Sequence, residues 1–502
     1  MSHQQHIVPS RLSPGGRNGG HGTLTNGAAS DLESPVDPTL AAPRVAVVGL
    51  GYVGLPTAIG LFESGATVLG IDVSRARLRA IRSGEVDLLA QDRERLQGAL
   101  DEPHAFILTP DLGMLRDAEV VMICVPTPVD SHLNPDLALL RSACAAVVEH
   151  TQPGQVIILT STSYPGCTRE MLAAPLQARS LMPGQSVYVA SSPERIDPAN
   201  AGFPQRTVPR IVGGITPECT RRAAAIVRLL TPIIHTVSSP EAAEMTKLVE
   251  NSFRAVNIAF ANEMADVARA LDLSISEVIN AAATKPYGFM PFYPGTGVGG
   301  HCIPCDPHYL LWRLRANRLE TPILAEAMTS IAQRPHQIVS QIVEALSAIG
   351  RSIREARVLI VGVAYKPDVR DTRGSPALEI LAEIADLGGR VDYHDPFVSS
   401  VSLDDQRVLL SVAEPDAAAY DLVLIHTLHR DANYRWLDYA RLVLDPSDRH
   451  HVARRGPVAS VPALESPALA IADPVDLSSE AMDGAEPARR VAERPTAFTI
   501  QG

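Results

Sequence analysis

The chain has 502 residues and a formal net charge of -12; the length suggests about three domains, and the acidic balance argues against nucleic acid as the main partner. Its six cysteines are too sparse for a dense disulfide framework, which favours a reducing compartment. No apolar run approaches the ~18 residues of a membrane helix, and the N-terminus lacks a secretory apolar core, so we expect a cytoplasmic protein with no membrane partner.

The two ends of the chain differ in texture from the body. Residues 1–42 are rich in Gly, Ser, Pro, Asn and His, and residues 449–502 are dominated by Pro, Ala, Ser and Glu. Neither shows a periodic apolar pattern, which predicts two disordered tails.

Short apolar strands alternate with helical segments through the first half of the body. We predict these strands at Arg44–Gly49, Ala66–Asp72, Glu119–Val125 and Gln155–Leu159. Continuous Val and Ile runs that alternate with helices predict a parallel sheet covered on both faces.

A different pattern covers Pro240–Leu271, where apolar residues recur every three or four positions without internal Gly or Pro. It predicts one helix, about 45 Å long at about 1.5 Å per residue, enough to bridge two domains. Strands are predicted again at Arg357–Val363, Gly389–Asp395 and Asp421–Ile425. The expected fold class is therefore α/β: two Rossmann-like parallel-sheet domains joined by a long central helix and a helical middle domain.

A glycine motif, Gly49-Leu-Gly51-Tyr-Val-Gly54, directly follows the first strand. Its glycines would make the tight turn, admit a pyrophosphate and let helix pack on strand. Asp72 ends the second strand, where a carboxylate accepts ribose hydroxyls and repels a 2′-phosphate. The motif predicts NAD, the alternative being a plain glycine turn. The remaining candidates for cofactor contact near the motif are Tyr52, Val53 and Arg77.

One thiol stands out in the segment Phe292–Pro307. Cys302 follows two glycines and His301 and precedes Asp306 by four residues. A thiol presented by a glycine loop can bond covalently to a substrate carbon, although a free cysteine can also be a buried packing residue. Cys302 and Cys305 form a CxxC, which could be a redox pair. No second CxxC or His pair has zinc spacing, so we expect no metal and interpret Cys305 as a packing residue.

Lys247 and Asn251 are four residues apart on the predicted long helix and therefore share a face. The alternative is a solvated face. An inward lysine and asparagine need polar partners; together with the thiol loop, these two suggest oxyanion stabilisation or water positioning.

Taken in order, these motifs and others resemble the UDP-glucose/GDP-mannose dehydrogenases, the NAD-dependent nucleotide-sugar 6-dehydrogenases, over about residues 44–445. The matching pieces are Val45–Gly54, Val125–Pro128, Ser161-Thr162, Tyr164–Gly166, Ser192–Arg195, Lys247–Asn251, Gly299–Pro304, Asp306 and Lys366–Arg373. Ser192–Pro198, Lys285–Pro294 and His301–Pro304 are most similar to the branch acting on UDP-N-acetylhexosamines. UDP-N-acetylglucosamine is the first expectation, for polysaccharide precursors; UDP-N-acetylmannosamine and UDP-glucose are the alternatives.

The resemblance implies a four-electron oxidation of the sugar C6 alcohol to the acid. Cys302 would capture the aldehyde as a thiohemiacetal and then carry a thioester. Lys247 and Asn251 would stabilise the oxyanion, and Asp306 and Thr127 would hold the water. Glu194 would act as base or water activator.

The same resemblance implies the binding residues and the organisation of the chain. Lys366 and Arg373 would meet UDP phosphates or the cofactor across a cleft, unless they are solvated surface charges. The implied substrate contacts are Glu194, Arg195, Lys247, Asn251, Tyr293, Gly299 and Lys366, and Thr127 and Arg373 join the cofactor contacts. The expected domains are NAD-binding at 43–235, helical and dimerising with the cysteine loop at 236–335, and UDP-sugar-binding at 336–448, with a homodimer as the assembly.

The chain departs from the family pattern at three places. Pro198 stands where many members have a second carboxylate, although Asp197 is adjacent; Gly374 replaces a common Glu; and Asp445-Pro446-Ser447 replaces an Asp-Thr-Arg. Two rival functions remain, a β-hydroxyacid dehydrogenase and a non-catalytic NAD-responsive binding protein. The former lacks a second α/β domain and needs no thiol.

Overall fold

The computed structural model describes residues 42–448 except 87, 89, 131, 196–204, 301 and 404–406. The predicted tails, apart from Ala42, lie outside the described residues, as do His301 and the Asp197-Pro198 departure.

Within the described residues, eight strands form the larger sheet, in the order β3-β2-β1-β4-β5-β6-β7-β8. They are β1 Arg44–Val48, β2 Thr67–Ile71, β3 Phe106–Thr109, β4 Val120–Ile123, β5 Val156–Leu159, β6 Tyr188–Ser191, β7 Arg210–Gly214 and β8 Ile234–Val237. The four strands predicted in this half are confirmed, each within two residues at either end. The other four are shorter or less apolar, which is why the sequence pattern did not reveal them.

One strand pair departs from the predicted parallel sheet. β7 runs antiparallel to β6, through Ala190 opposite Gly214 and Ser191 opposite Gly213, while β7 and β8 are parallel to each other. A parallel neighbour needs a crossover, usually a helix. The described part of the β6–β7 connection contains the short 3-10 helix Gln205–Thr207, and β7 runs back in the direction opposite to β6.

Helices cover both faces of this sheet, as the apolar strands require. They are α1 Gly54–Glu63, α2 Arg75–Arg82, α3 Ala90–Leu100, α4 Ala138–His150, α5 Ala174–Ala178 and α6 Pro217–Val227. Alternate residues of each strand enter two separate cores: Ala46 and Val48 pack on one face with α4, and Val45 and Val47 pack on the other with α1 and α6.

The predicted long helix is confirmed as α7, Pro240–Ala270. Ser239 caps it by accepting a hydrogen bond from the amide of Ala242 at 3.2 Å, and Pro240 occupies the first turn, where its missing N–H costs nothing. Its buried Glu244 accepts hydrogen bonds from the amide of Gly166 and the hydroxyl of Thr168.

Three more helices complete the middle of the chain: α8 Ile275–Ala283, α9 Asp306–Ala316 and α10 Pro322–Ala348. Toward its end α7 holds two of its neighbours. Asn262 accepts the amide of Gly295 at 2.9 Å, and Asp266 pairs with the buried guanidinium of Arg334 on α10 at 2.7 Å. None of the helices in the described ranges is long and apolar enough to cross a membrane.

A second, smaller parallel sheet follows, in the order β10-β9-β13-β14. Its strands are β9 Arg357–Val361, β10 Arg390–His394, β13 Leu422–Ile425 and β14 Val443–Leu444, and helix α11 spans Pro376–Asp386. A separate antiparallel pair is formed by β11 Ser400–Ser402 and β12 Val408–Leu410. The predicted strands β9, β10 and β13 are confirmed. With one mostly parallel sheet, one parallel sheet and a long helix between them in the chain, the α/β fold class is confirmed.

Candidate active site

The turn after β1 has the shape of a dinucleotide site. Gly49 adopts φ +87°, and a Cβ at Gly54 would lie 1.8 Å from the carbonyl oxygen of Gly49, so only glycine permits this contact. A Cβ at Gly51 would meet nothing within 4 Å. Helix α1 starts at Gly54 with no side-chain cap and no acid in its first turn, leaving its positive end to an anion. The residues here therefore fit a pyrophosphate.

Asp72 locks this turn while keeping room for a ligand. Its carboxylate accepts the amide of Leu50 at 2.9 Å and the amide of Ser74 at 2.8 Å. Arg77 donates from Nε to the carbonyl oxygen of Leu50 at 2.8 Å, so its contact is with the turn itself. A carboxylate has about four acceptor positions, so half-buried Asp72 retains capacity for ribose hydroxyls.

The loop after β9 reaches across to the glycine turn. The guanidinium carbon of Arg373 lies 5.1 Å from the ring centroid of Tyr52, and Asp371 holds this arginine through an ion pair of 2.6 Å. Lys366 lies half-buried on the same loop with its ammonium 5.6 Å from the ring centroid of Tyr365. The smaller sheet thus brings cationic groups to the edge of the dinucleotide turn.

A buried acid–amide pair joins α7 to α9. The side-chain amide of Asn251 donates to Asp306 at 2.5 Å, and each residue is 4% exposed. Burial raises the pKa of Asp306 to about 6, against the opposing effects of the Lys247 charge and of the Asn251 hydrogen bond. The structure therefore brings together Lys247, Asn251 and Asp306, which the sequence places up to 59 residues apart.

Cys302 lies at the end of the thiol loop, which we define as Phe292–Cys305. Its side chain is exposed, and its carbonyl oxygen accepts the amide of Asp306 at 2.8 Å, so the turn at Cys302 leads directly into α9. Cys305 is half-buried, and burial above all raises the pKa of its thiol to about 12. Neither cysteine is in a disulfide bond, and the described residues contain no group of side chains able to hold a metal ion.

The loop after β4 packs against α9, the helix that begins with Asp306. Thr127 is 7% exposed and hydrogen-bonds Tyr309, an interaction that opposes the rise in the pKa of Tyr309 caused by burial. The hydroxyl of Tyr309 also donates to the carbonyl oxygen of Pro128 at 3.3 Å. Tyr309 thereby fixes Thr127 on the side of the sheet that α9 covers.

Glu194 lies in a different buried environment. Its carboxylate is 2.6 Å from the guanidinium of Arg210, which is fully buried on β7. Arg195 faces outward and pairs with Glu250 on α7 at 2.6 Å. Sequence reasoning missed Arg210; a charged residue opening an otherwise apolar strand was the available signal.

The thiol loop lies closely against the smaller sheet. A Cβ at Gly299 would come within 2.7 Å of the Tyr365 Cβ, and Gly300, at φ +83°, donates its amide to the carbonyl oxygen of Arg373 at 3.1 Å. Gly299 therefore packs against Tyr365 of the loop that follows β9. Tyr293 donates its hydroxyl to Asn280 on α8 at 2.7 Å.

Two departures from the family pattern have structural counterparts. Gly374 adopts φ +57°, a conformation in which the common glutamate would be strained. The segment at Asp445–Ser447 contacts α8, where the hydroxyl of Ser276 donates to the carbonyl oxygen of Ser447 at 3.2 Å.

The dinucleotide turn, the cationic loop opposite it and the exposed thiol beside a buried acid–amide pair define an NAD-dependent dehydrogenase. Comparison with known proteins specifies the class. The models of the UDP-glucose/GDP-mannose dehydrogenase family match over the NAD binding domain at residues 43–231, the central domain at 241–331 and the UDP binding domain at 359–449. The chain belongs to this family and is an NAD-dependent nucleotide-sugar dehydrogenase, as the sequence predicted.

Individual relatives carry names that differ in the sugar. The chain is 33% identical over 390 residues to UDP-N-acetyl-D-glucosamine 6-dehydrogenase of Pseudomonas aeruginosa, covering 77% of this chain and 91% of that protein. It is 35% identical over 356 residues to UDP-N-acetyl-D-mannosamine dehydrogenase of Pyrococcus horikoshii, covering 71% and 84%. The solved structure of a UDP-D-ManNAc dehydrogenase from Pyrococcus horikoshii aligns with a TM-score of 0.73 at 31% identity, covering 83% of this chain and 97% of that one.

Proposed function

We propose that this enzyme oxidises the C6 alcohol of a UDP-N-acetylhexosamine to the carboxylate, taking four electrons, with UDP-N-acetylglucosamine as the first-choice substrate. The observation that carries the proposal is the exposed Cys302 at the start of the helix that bears buried Asp306. The relative from Pseudomonas aeruginosa supports glucosamine as the sugar. UDP-N-acetylmannosamine is the second candidate, supported by the relative from Pyrococcus horikoshii.

The chemistry divides between the cofactor and the thiol. NAD would be held by the residues Gly49–Gly54 and by Asp72, and two NAD molecules in turn would each accept one hydride. Cys302 adds as thiolate to the C6 aldehyde and forms a thiohemiacetal. Loss of a hydride from that carbon and of a proton from its hydroxyl leaves a thioester on Cys302, and attack of water releases the acid and regenerates the thiol.

Asp306 is assigned to the hydrolytic step, together with Thr127. At a pH above its pKa of about 6, the carboxylate of Asp306 is ionised, so it can orient a water molecule and accept its proton. Lys247 and Asn251, one turn apart on α7, stabilise the oxyanion that forms at the same carbon.

Glu194 and Arg195 are assigned supporting roles toward the sugar. The guanidinium of Arg210 lies 2.6 Å from the carboxylate of Glu194 and fixes its position. This pairing favours Glu194 as an anchored acceptor for substrate or water, with Asp306 as the base. Tyr293 and Gly299, both in the thiol loop, are kept as proposed substrate contacts.

Lys366 and Arg373 are assigned to phosphate recognition. Both lie on the loop after β9, and Arg373 contacts Tyr52 of the glycine turn. Guanidinium and ammonium groups at a cleft edge suit diphosphates, so Lys366 would meet UDP, and Arg373 the cofactor.

The assembly we propose is a homodimer formed through α7. Large apolar side chains are exposed along one stripe of this helix, at intervals of four and seven residues: Val249, Phe253, Phe260, Val267 and, just beyond its end, Leu271. A stripe of this kind on one long helix suits a second copy of the same helix. We place the enzyme in the cytoplasm, because none of the six cysteines is in a disulfide bond and the proposed chemistry needs Cys302 reduced.

The test is the ratio of NADH formed to sugar consumed. The enzyme is incubated with NAD and a panel of UDP-sugars, and we expect two NADH per UDP-N-acetylglucosamine. Cys302→Ala should abolish acid formation, whereas Cys305→Ala, the matched control three residues away, should retain it. One NADH per sugar, or acid formation by Cys302→Ala, would refute the four-electron proposal.

A further inference from the structure

We propose that His426 is a positioning residue that fixes the thiol loop to the smaller sheet, and so sets Cys302 for capture of the aldehyde before it escapes. The inference rests on the proposed four-electron reaction. It assigns a function to a residue about which the sequence motifs were silent.

His426 directly follows β13 and hydrogen-bonds on both sides of its ring. Nδ1 pairs with the hydroxyl of Thr296 in the thiol loop. Nε2 pairs with the hydroxyl of Ser375 at 3.2 Å, and Ser375 is the residue that caps α11 by accepting the amide of Ala377. One side chain thus connects the thiol loop, the carboxyl end of β13 and the start of α11.

All three partners are buried: Thr296 is 3% exposed, Ser375 1% and His426 6%. Burial lowers the pKa of His426 to about 4, so the ring is neutral near pH 7. A neutral imidazole offers one donor and one acceptor, and two hydroxyls, which can do either, satisfy both nitrogens. An apolar ring at this position would leave two buried hydroxyls without their partner.

Backbone contacts on either side show why this tie matters for the loop. A Cβ at Gly297 would lie 2.8 Å from Pro376, and Gly300 donates its amide to the carbonyl oxygen of Arg373. The loop therefore follows the surface of residues 373–376, with His426 as its side-chain anchor. Cys302 is two residues beyond Gly300 in the chain, so we expect a displacement of Gly300 to displace Cys302.

The effect should fall on the thiol step. The aldehyde can be attacked only while the sulfur is within bonding reach, and a displacement of about 1 Å can cost about 100-fold in rate. The first hydride transfer needs no thiol. Loosening the loop should therefore spare the first oxidation and release aldehyde instead of acid.

The experiment compares His426→Phe with the full-length wild type at saturating NAD and UDP-N-acetylglucosamine, with hydroxylamine present to trap free aldehyde. We expect NADH per sugar to fall from two toward one, with trapped aldehyde accounting for the difference and the first-turnover rate within about twofold. His426→Asn, whose amide can occupy the position of Nδ1, should restore the ratio in large part, and Thr296→Val should reproduce the loss.

His394→Phe is the matched control, because His394 is a buried histidine of the same sheet, bonded through Nδ1 to the carbonyl oxygen of Val412 at 2.7 Å. It should keep two NADH per sugar. A ratio of two in His426→Phe, or an equal loss in His394→Phe, would overturn the proposal.

Amide hydrogen exchange over residues 293–300 tests the anchoring without substrate. We expect exchange to rise by at least about tenfold in His426→Phe and to stay unchanged in His394→Phe; no rise in His426→Phe would refute the anchoring. If the wild type itself forms one NADH per sugar, the proposed reaction has failed, and the exchange result decides whether His426 anchors the loop.

Discussion

Asp306→Asn should make the folded protein more stable at pH 8 while destroying its hydrolytic step. The carboxyl has an ordinary pKa of 3.8, which burial raises to about 6 in the folded chain. At about 1.4 kcal/mol per pKa unit, holding the charged form in this site costs about 3 kcal/mol. The amide of asparagine has nearly the same shape and carries no charge, so this cost disappears in the variant.

The sign of the pH dependence follows from proton binding. Between about pH 4 and pH 6 the folded state binds more protons at Asp306 than the unfolded state does, so the contribution of this group to stability falls as pH rises through that window. The full cost is present above pH 6 and is absent below pH 4. The advantage of Asp306→Asn should therefore grow from nothing near pH 4 to its maximum near pH 8.

Thermal unfolding of both proteins across pH 4 to 8 measures this difference. We expect the melting temperature of Asp306→Asn to be roughly 5 °C higher than that of the wild type at pH 8. When the variant is given NAD and the UDP-sugar, a Cys302 thioester should accumulate, and mass spectrometry detects it. Asp266→Asn is the matched control of opposite sign, because it leaves the buried guanidinium of Arg334 without its carboxylate. A variant Asp306→Asn that is less stable at pH 8, or equally stabilised at every pH, would refute the reasoning.

Three further perturbations test other parts of the molecule. Gly51→Ala should fold normally, because its Cβ meets open space, but calorimetry should show that it binds NAD at least about tenfold more weakly. Gly54→Ala should fail to fold. If Gly51→Ala binds NAD as tightly as the wild type, the proposed cofactor site is wrong. Arg210→Met should cost about 3–5 kcal/mol by removing the buried guanidinium that faces the carboxylate of Glu194, and adding Glu194→Gln should recover part of this loss in chemical unfolding. Phe260→Arg should convert the proposed dimer to monomer in sedimentation; an unchanged mass would place the interface elsewhere.

Local patterns sufficed for much of the fold. The positions of β1 and β2 could be predicted from short apolar runs, and that of α7 from the helical spacing of its apolar residues. The glycine turn could be predicted from its position between a strand and a helix. The antiparallel β7 did not, because its direction depends on a connection whose course no local pattern encodes.

The site residues likewise divide into those that local sequence could predict and those that depend on tertiary packing. Cys302 and Asp306 were predictable because four residues of loop fix their spacing. The bond between Asn251 and Asp306 joins positions 55 residues apart, and that between Thr296 and His426 joins positions 130 apart. Such pairs form only when helices and sheets have packed, so spacing along the chain carries no sign of them. The partner of Arg210 is Glu194, which lies beyond the end of β6, so this pair too forms only when the sheet is assembled.

Helix α7 has a consequence for how this chain can change in length. Within one unbroken helix, Glu244 holds the Gly166 turn, Asn251 holds Asp306, Asn262 holds the thiol loop and Asp266 holds α10. Inserting a single residue would turn everything beyond it by about 100° and shift it by about 1.5 Å, so the later contacts would point away from their partners. Substitutions on the outward face of α7 leave that spacing intact. Insertions and deletions between residues 244 and 266 do not, so natural variation in chain length should accumulate in the surface loops instead.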